Sequence, residues 1–175
     1  MHAPDQCPRP QNRKTAPPIV LLMVDELRAR CVRREDGLFL LAWANDREAR
    51  EQSFNRKNIT VLQHRQWLRK ILADPGQRSY LILKGRKKIG LVRFSQRTSR
   101  EWEIHFNMNP RWRGKGLGRA FLRAGISRFQ DEFPQVSLVA QVKPGNRRSH
   151  LCLAGNRFSL KSRNRHRTWW MTSPL

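Results

Sequence analysis

Arg113-Gly114-Lys115-Gly116-Leu117-Gly118 is the stretch on which the reading of this chain turns. Before it, Glu101 to Met108 reads as a strand. After it, Gly116 to Phe129 carries Leu117, Phe121 and Ala124 at helical spacing. Three glycines and two cations therefore stand where a strand gives way to a helix. The first turn of a helix exposes unpaired N–H groups and a partial positive charge. Glycine lets that backbone approach an anion with no Cβ in the way. This is the setting a pyrophosphate requires. By spacing alone, a glycine-rich connection with exposed arginines fits as well. Other phosphate loops fit less well: there is no GxxxxGK[ST] and no early GxGxxG after the first strand.

Working outward, Leu27 to Val32 alternates as a strand with one wetted face. Leu38 to Trp43 reads as a helix that Asn45-Asp46 ends or interrupts. Thr60 and Gln63 form a capping box for a further helix, on which His64, Trp67, Leu68 and Ile71 share a face. Asp74-Pro75-Gly76 stops it. Ser79 to Leu83 and Ile89 to Phe94 flank the basic turn Lys84 to Lys88 as a hairpin. Downstream, Val136 to Val142 is a strand, Pro144-Gly145-Asn146 turns into a short helix, and Phe158 to Trp170 is a last hairpin. The order β-α-α-β-β-β-α-β-α-β predicts an α/β fold, a mixed sheet with helices packed on it.

A chain of 175 residues suits one domain with a real core. Residues 1–24 read as a basic, proline-rich tail expected to be disordered, leaving 25–175 as the domain; Met23 is a candidate true start. The 36 Lys+Arg against 13 Asp+Glu give a formal charge of +23, which favours polyanionic partners, though a host composition bias would give the same total. Cys7, Cys31 and Cys152 form no CxxC pair, so reduced thiols in a cytoplasm are expected. No transmembrane span and no metal set are read, since the apolar run Ile19 to Val24 is too short to cross a bilayer.

The loop resembles the signature of the GNAT N-acetyltransferase family, Arg/Gln-x-x-Gly-x-Gly/Ala, through Arg113, Gly116 and Gly118. Trp102 to Pro110 resembles that family's fourth strand, and Asn146 with Ser149 its Asn-x-x-Ser. The resemblance covers roughly residues 27 to 158 and implies a mostly antiparallel central sheet flanked by helices. It implies acetyl-CoA (coenzyme A) as donor, bound by Asn107, Met108, Arg113, Gly114, Lys115, Gly116, Leu117, Gly118, Asn146 and Ser149. The front segment, Trp43-Ala44-Asn45-Asp46 with Arg50, Ser53-Phe54, Ile59, His64 and Trp67, resembles the branch acting on UDP-linked 4-amino sugars. That implies an acceptor pocket involving Asn45, Phe54 and His64. On residue type alone, Trp43 and Trp67 are more naturally core, and so is a lone His on an apolar face.

Acetyl transfer to an amine needs a neutral amine, a stabilised oxyanion and a thiolate able to leave. Glu103 is the candidate general base, and the alternative is that it balances nearby arginines. The resemblance puts the oxyanion at a backbone N–H near Asn107 or Met108. Two positions depart from the family. Leu153 stands where many members carry a general-acid Tyr, and Arg157 stands where a Gly usually ends the last helix, with Gly155 as a possible substitute. The expected partner is a small-molecule amine, with a UDP-amino sugar the best fit, in a monomer or homodimer. A ribosomal or nucleic-acid-associated acceptor is the first rival, supported by eight Lys+Arg and no acid across 141–175. A non-catalytic nucleic-acid-binding module is the second.

Overall fold

A computed structural model describes residues 27–174; the expected tail at 1–24 and the reading of Met23 as the start lie outside them. Among the described residues, seven strands form one sheet in the order β1-β2-β3-β4-β5-β7-β6. They are β1 (Leu27–Cys31), β2 (Gln77–Lys84), β3 (Lys87–Gln96), β4 (Glu101–Met108), β5 (Ser137–Val142), β6 (Ser159–Arg163) and β7 (Thr168–Met171). Every pairing is antiparallel except β4 with β5. The expected mostly antiparallel sheet with flanking helices is what forms.

The helices are α1 (Gly37–Ala44), α2 (Arg47–Gln52), α3 (Val61–Ala73), α4 (Gly118–Gln130) and α5 (Arg147–Ala154). The alternation of β4 sorts them between two faces. Trp102 and Ile104 point into the larger core with Phe121, Leu122 and Phe129 of α4 and Leu153 of α5. Its tightest ring contact stacks Phe94 on Phe129 with centroids 4.0 Å apart. Leu40 and Trp43 of α1 and Leu68 and Ile71 of α3 pack with Leu81 on the opposite face. The odd positions of β4, from Glu101 to Asn107, alternate away from the larger core and so share this second face.

Three local expectations are refined. The Thr60–Gln63 capping box forms, with Thr60 Oγ1 accepting the Gln63 N–H at 3.2 Å and Gln63 Oε1 accepting the Thr60 N–H at 2.9 Å. Asp46 starts a helix as well as following one: its side chain accepts the Ala49 N–H and caps α2, which the sequence reading had not resolved. Cys152 is a free thiol, as the sequence leads one to expect, while Cys7 lies outside the described residues. Among the described residues, no helix is long and apolar enough to cross a membrane.

Candidate functional site

The sheet splits beside the loop. β4 and β5 share three register pairs, the last being Glu103↔Val139. β3 keeps pairing with β4 as far as Gly90↔Met108, while β5 pairs with β7 from Val139 to Val142. Ile104 to Met108 is therefore paired on one side only. Backbone N–H and C=O groups on the other side are open to an extended ligand that carries amides of its own. At the end of this wedge, Gly114 and Gly116 adopt φ of +74° and +73°, which a side chain resists. A Cβ built on either would meet nothing within 4 Å, so the loop borders open space. Leu117 caps α4 without a side-chain bond, and no acid stands in the first turn. These features fit a pantetheine arm followed by a pyrophosphate, with Gly114 to Gly118 as the cradle.

Several side chains expected at this cofactor are engaged elsewhere. The Arg113 guanidinium ion-pairs with Asp46 and with Glu48 at 3.3 Å, and donates to Asn107 Oδ1 at 3.3 Å and the Met108 carbonyl at 3.1 Å. It anchors the root of the loop instead of pointing from it. Burial opposes ionisation of Asp46, but the Arg113 and Ala49 hydrogen bonds outweigh it and hold that carboxyl below its ordinary range. Asn107 Nδ2 donates to the Trp43 carbonyl at 3.0 Å, so the Asn107 side chain ties β4 to α1. Asn146 caps α5 by accepting the Ser149 N–H at 3.1 Å. Gly118 lies against α5, where a Cβ would meet Cys152 Sγ at 2.5 Å. Lys115 is exposed, with its ammonium 4.9 Å from the centre of the Trp112 ring.

The second face carries a side-chain network centred on Glu103. Gln141 Nε2 donates to Glu103 Oε1 at 3.0 Å, and Gln141 Oε1 accepts from Arg167 at 2.7 Å. The same guanidinium lies 4.5 Å from the centre of the Phe54 ring. The loop after α2 thereby meets the β6–β7 hairpin above the sheet. Lys143 Nζ holds the end of α2 through the Glu51 carbonyl at 2.7 Å. Arg93 lies opposite His105 in the register and donates to Ser95 Oγ and Gln77 Oε1. Burial, reinforced by the Arg93 charge, pushes the His105 imidazole down to about 3. Its side chain keeps 40% of its surface open and water screens part of that effect, but the direction leaves it neutral at pH 7.

The expected acceptor residues separate. Phe54 stands 47% exposed at the mouth of this face. His64 is buried, burial lowers its pKa, and its Nε2 has no partner among the described residues. Asn45 spends both ends of its amide on Ile59, donating to the carbonyl and accepting the N–H at 2.8 Å each, and so pins the loop. Arg93, His105, Gln141, Lys143 and Arg167 are members that sequence reading missed. Arg93 could have been found in β3 from the Glu103 register, and His105 from the alternation with Glu103. Gln141 and Arg167 depend on the pairing of β5 with β7, for which no local signal exists.

The two departures also resolve. Leu153 is fully buried in the larger core, so no side-chain acid stands at that position. Arg157 itself takes the left-handed conformation, with φ of 63°. Gly155, the suggested substitute, keeps an ordinary φ of −75°. What Gly155 supplies is room: a Cβ there would meet the Arg119 side chain at 2.6 Å.

A family model described as the acetyltransferase (GNAT) domain matches residues 26–158. No curated protein matches the sequence. Among solved structures, spermidine N-acetyltransferase from Vibrio cholerae with CoA and spermine is similar at 18% identity and TM-score 0.72, covering 83% of this chain and 93% of that one. Campylobacter jejuni N-acetyltransferase PseH with acetyl coenzyme A is similar at 16% identity and TM-score 0.67, covering 84% and 98%. An aminoglycoside acetyltransferase with coenzyme A is similar at 18% identity and TM-score 0.70, covering 85% and 95%.

Proposed function

The chain belongs to the GNAT acetyltransferase family, and from that premise we propose that it moves an acetyl group from acetyl-CoA to the primary amine of an anionic, nucleotide-linked amino sugar. The observation that carries the acceptor class is the charge of the second face. Arg93 feels the Glu103 charge directly, Arg167 reaches Glu103 through Gln141, and Lys143, two residues past Gln141, holds the end of α2 beside them. Two of the similar structures are a spermidine and an aminoglycoside acetyltransferase, whose acceptors are polycations. A polycation would be repelled where Arg93, Lys143 and Arg167 outnumber Glu103, the Glu101 carboxylate on this face being already paired with Arg97, whereas a diphosphate-linked sugar would be drawn in.

In this reading Glu103 takes the amine proton, directly or through a water. Its support is its seat on β4, where pairing with β5 ends and the wedge begins. Gln141 orients the carboxylate by donating to one of its oxygens. The neutral His105 beside it leaves the amine's proton to Glu103. A backbone N–H near Asn107 or Met108 meets the oxyanion. With Leu153 in the acid's usual place, the thiolate departs without a side-chain proton, which a thiol pKa of about 8.5 permits. Phe54, exposed beside Arg167, bounds the acceptor pocket, and the buried His64 supports the helix behind it.

The test is an acetyl-CoA turnover screen of UDP-linked amino sugars beside spermidine and aminoglycosides. The nucleotide-linked series should give the highest kcat/KM. Preference for spermidine or an aminoglycoside would overturn the acceptor assignment while leaving the donor intact.

A further inference from the structure

A cleft of about 760 Å³ opens on the outer side of the loop, between the β2–β3 turn, α1 and the segment from Asn109 to Lys115. Arg86, Lys87, Lys88, Arg111 and Lys115 line it, all five are exposed, and no acid does. Elsewhere several cations are matched: Arg30 by Asp36, Arg113 by Asp46 and Glu48, Arg148 by Glu48, Arg78 by Glu132. Among the described residues, none of the five in the cleft is ion-paired. Two half-buried rings stand between them. Lys88 Nζ lies 3.8 Å from the centre of Phe39, and Lys87 and Lys115 lie 5.8 and 4.9 Å from that of Trp112.

We propose that this cleft binds a single strand of nucleic acid, its phosphates on the five cations and its bases on Phe39 and Trp112. Flexible cations beside aromatic faces are what an unpaired strand requires, since a backbone-tracking groove needs charge and each exposed base needs a ring. An exposed lysine over a half-buried ring at the surface is held weakly. An arriving base can displace it, and the freed ammonium then meets the adjoining phosphate. A duplex hides its bases from the rings, so its binding would use the cations alone. The proposal does not rest on the acceptor reading, because the cleft lies at the β2–β3 turn and uses none of the Glu103 network.

The experiment is fluorescence anisotropy of a short labelled oligouridylate with the full chain, beside an oligothymidylate, a duplex and inorganic polyphosphate. The single strands should bind more tightly than the duplex, with a log–log salt slope approaching about −3.5 if five phosphates are neutralised. Lys87→Glu with Lys88→Glu should weaken oligouridylate binding by about tenfold or more and leave acetyl-CoA affinity unchanged. The same charge change on the C-terminal hairpin, Arg163→Glu with Arg165→Glu, should weaken it by less than about threefold. Phe39→Leu should weaken the oligonucleotide and not the polyphosphate. Equal losses from the cleft and hairpin pairs would overturn the proposal, as would duplex binding as tight as single-strand binding, or a Phe39→Leu effect shared by polyphosphate. Acetyl-CoA affinity, read on the same variants, separates failure of this proposal from failure of the transferase reading.

Discussion

The two sides of β4 offer different kinds of chemistry. On the loop side the useful groups belong to the backbone: the one-sided edge of Ile104 to Met108, the uncapped first turn of α4, and two glycines in the left-handed region. Side chains there are withdrawn, with Arg113 folded back onto Asp46 and Asn107 tied to Trp43. On the Glu103 side the backbone is paired with both neighbours, and side chains carry the site. The difference sets what each side tolerates. A backbone site is damaged by anything that adds a Cβ or a charge at the loop, and it is indifferent to most side-chain identities nearby. A side-chain site is damaged by the loss of a single functional group.

The largest effect should come from the loop. Gly116→Glu places a carboxylate where the pyrophosphate is expected, and like charges in contact cost several kcal/mol. Acetyl-CoA affinity measured by calorimetry should fall by about 100-fold or more. Folding should change little beyond the strain of a positive φ, because the space beside Gly116 is open. Retained affinity would remove the loop from the donor site. On the other side, Glu103→Gln keeps the shape and the Gln141 contact but removes the base. Turnover should fall by about 100-fold with the acetyl-CoA Kd unchanged. A Kd that moves together with kcat would mean that the two sides are not separable.

This contrast also explains how much could be read without coordinates. A backbone site writes itself locally, because a positive φ calls for glycine and a cradle needs a helix start within a few residues. Arg113 to Gly118 was therefore legible, and with it the strand before and the helix after. The sheet was legible for a similar reason, since Trp102 and Ile104 alternate with Glu103 and His105. The Glu103 network was not, because Gln141, Arg167 and Phe54 meet only after β5 pairs with β7 and the loop after α2 folds over them. The bonds of Asn45 were hidden for the same reason: its amide looks free until Ile59, fourteen residues on, takes both ends. Even the motif residues were legible in position more than in role, since Asn146 serves as a helix cap and Arg113 as an anchor.

Asp46 joins the two sides and gives the next effect in size. Asp46→Ala removes both the α2 cap and the Arg113 partner, and should destabilise the fold by about 2 kcal/mol in urea unfolding. Asp46→Asn keeps a capping oxygen and loses only the charge, so the milder variant isolates the ion pair. Its pH dependence has a definite sign. The folded carboxyl titrates below its unfolded value of about 3.9, so its stabilisation is complete above that pH. It is lost as pH falls through the lower folded value. Wild-type stability should therefore drop more steeply below pH 4 than that of Asp46→Asn. Parallel curves would show that Arg113 contributes nothing through this charge.

The smallest effect tests whether a left-handed residue is always a sign of a ligand. Gly114, Gly116 and Arg157 share nearly the same φ, yet Arg157 sits at the far end of α5 with its side chain exposed. A non-glycine residue there bears a cost of about 1–2 kcal/mol with no ligand approach to offset it. Arg157→Gly should release most of it, though glycine's greater freedom in the unfolded chain cancels part. A net gain of about 1 kcal/mol, seen as a Tm rise of roughly 2–4 °C, is expected with unchanged acetyl-CoA affinity and turnover. The mirror variant, Gly116→Ala, puts the same strain where the loop meets its ligand, and should lower acetyl-CoA affinity as well as stability. If Arg157→Gly changed affinity as Gly116→Ala does, the end of α5 would belong to the donor site, and the division drawn at β4 would have to move.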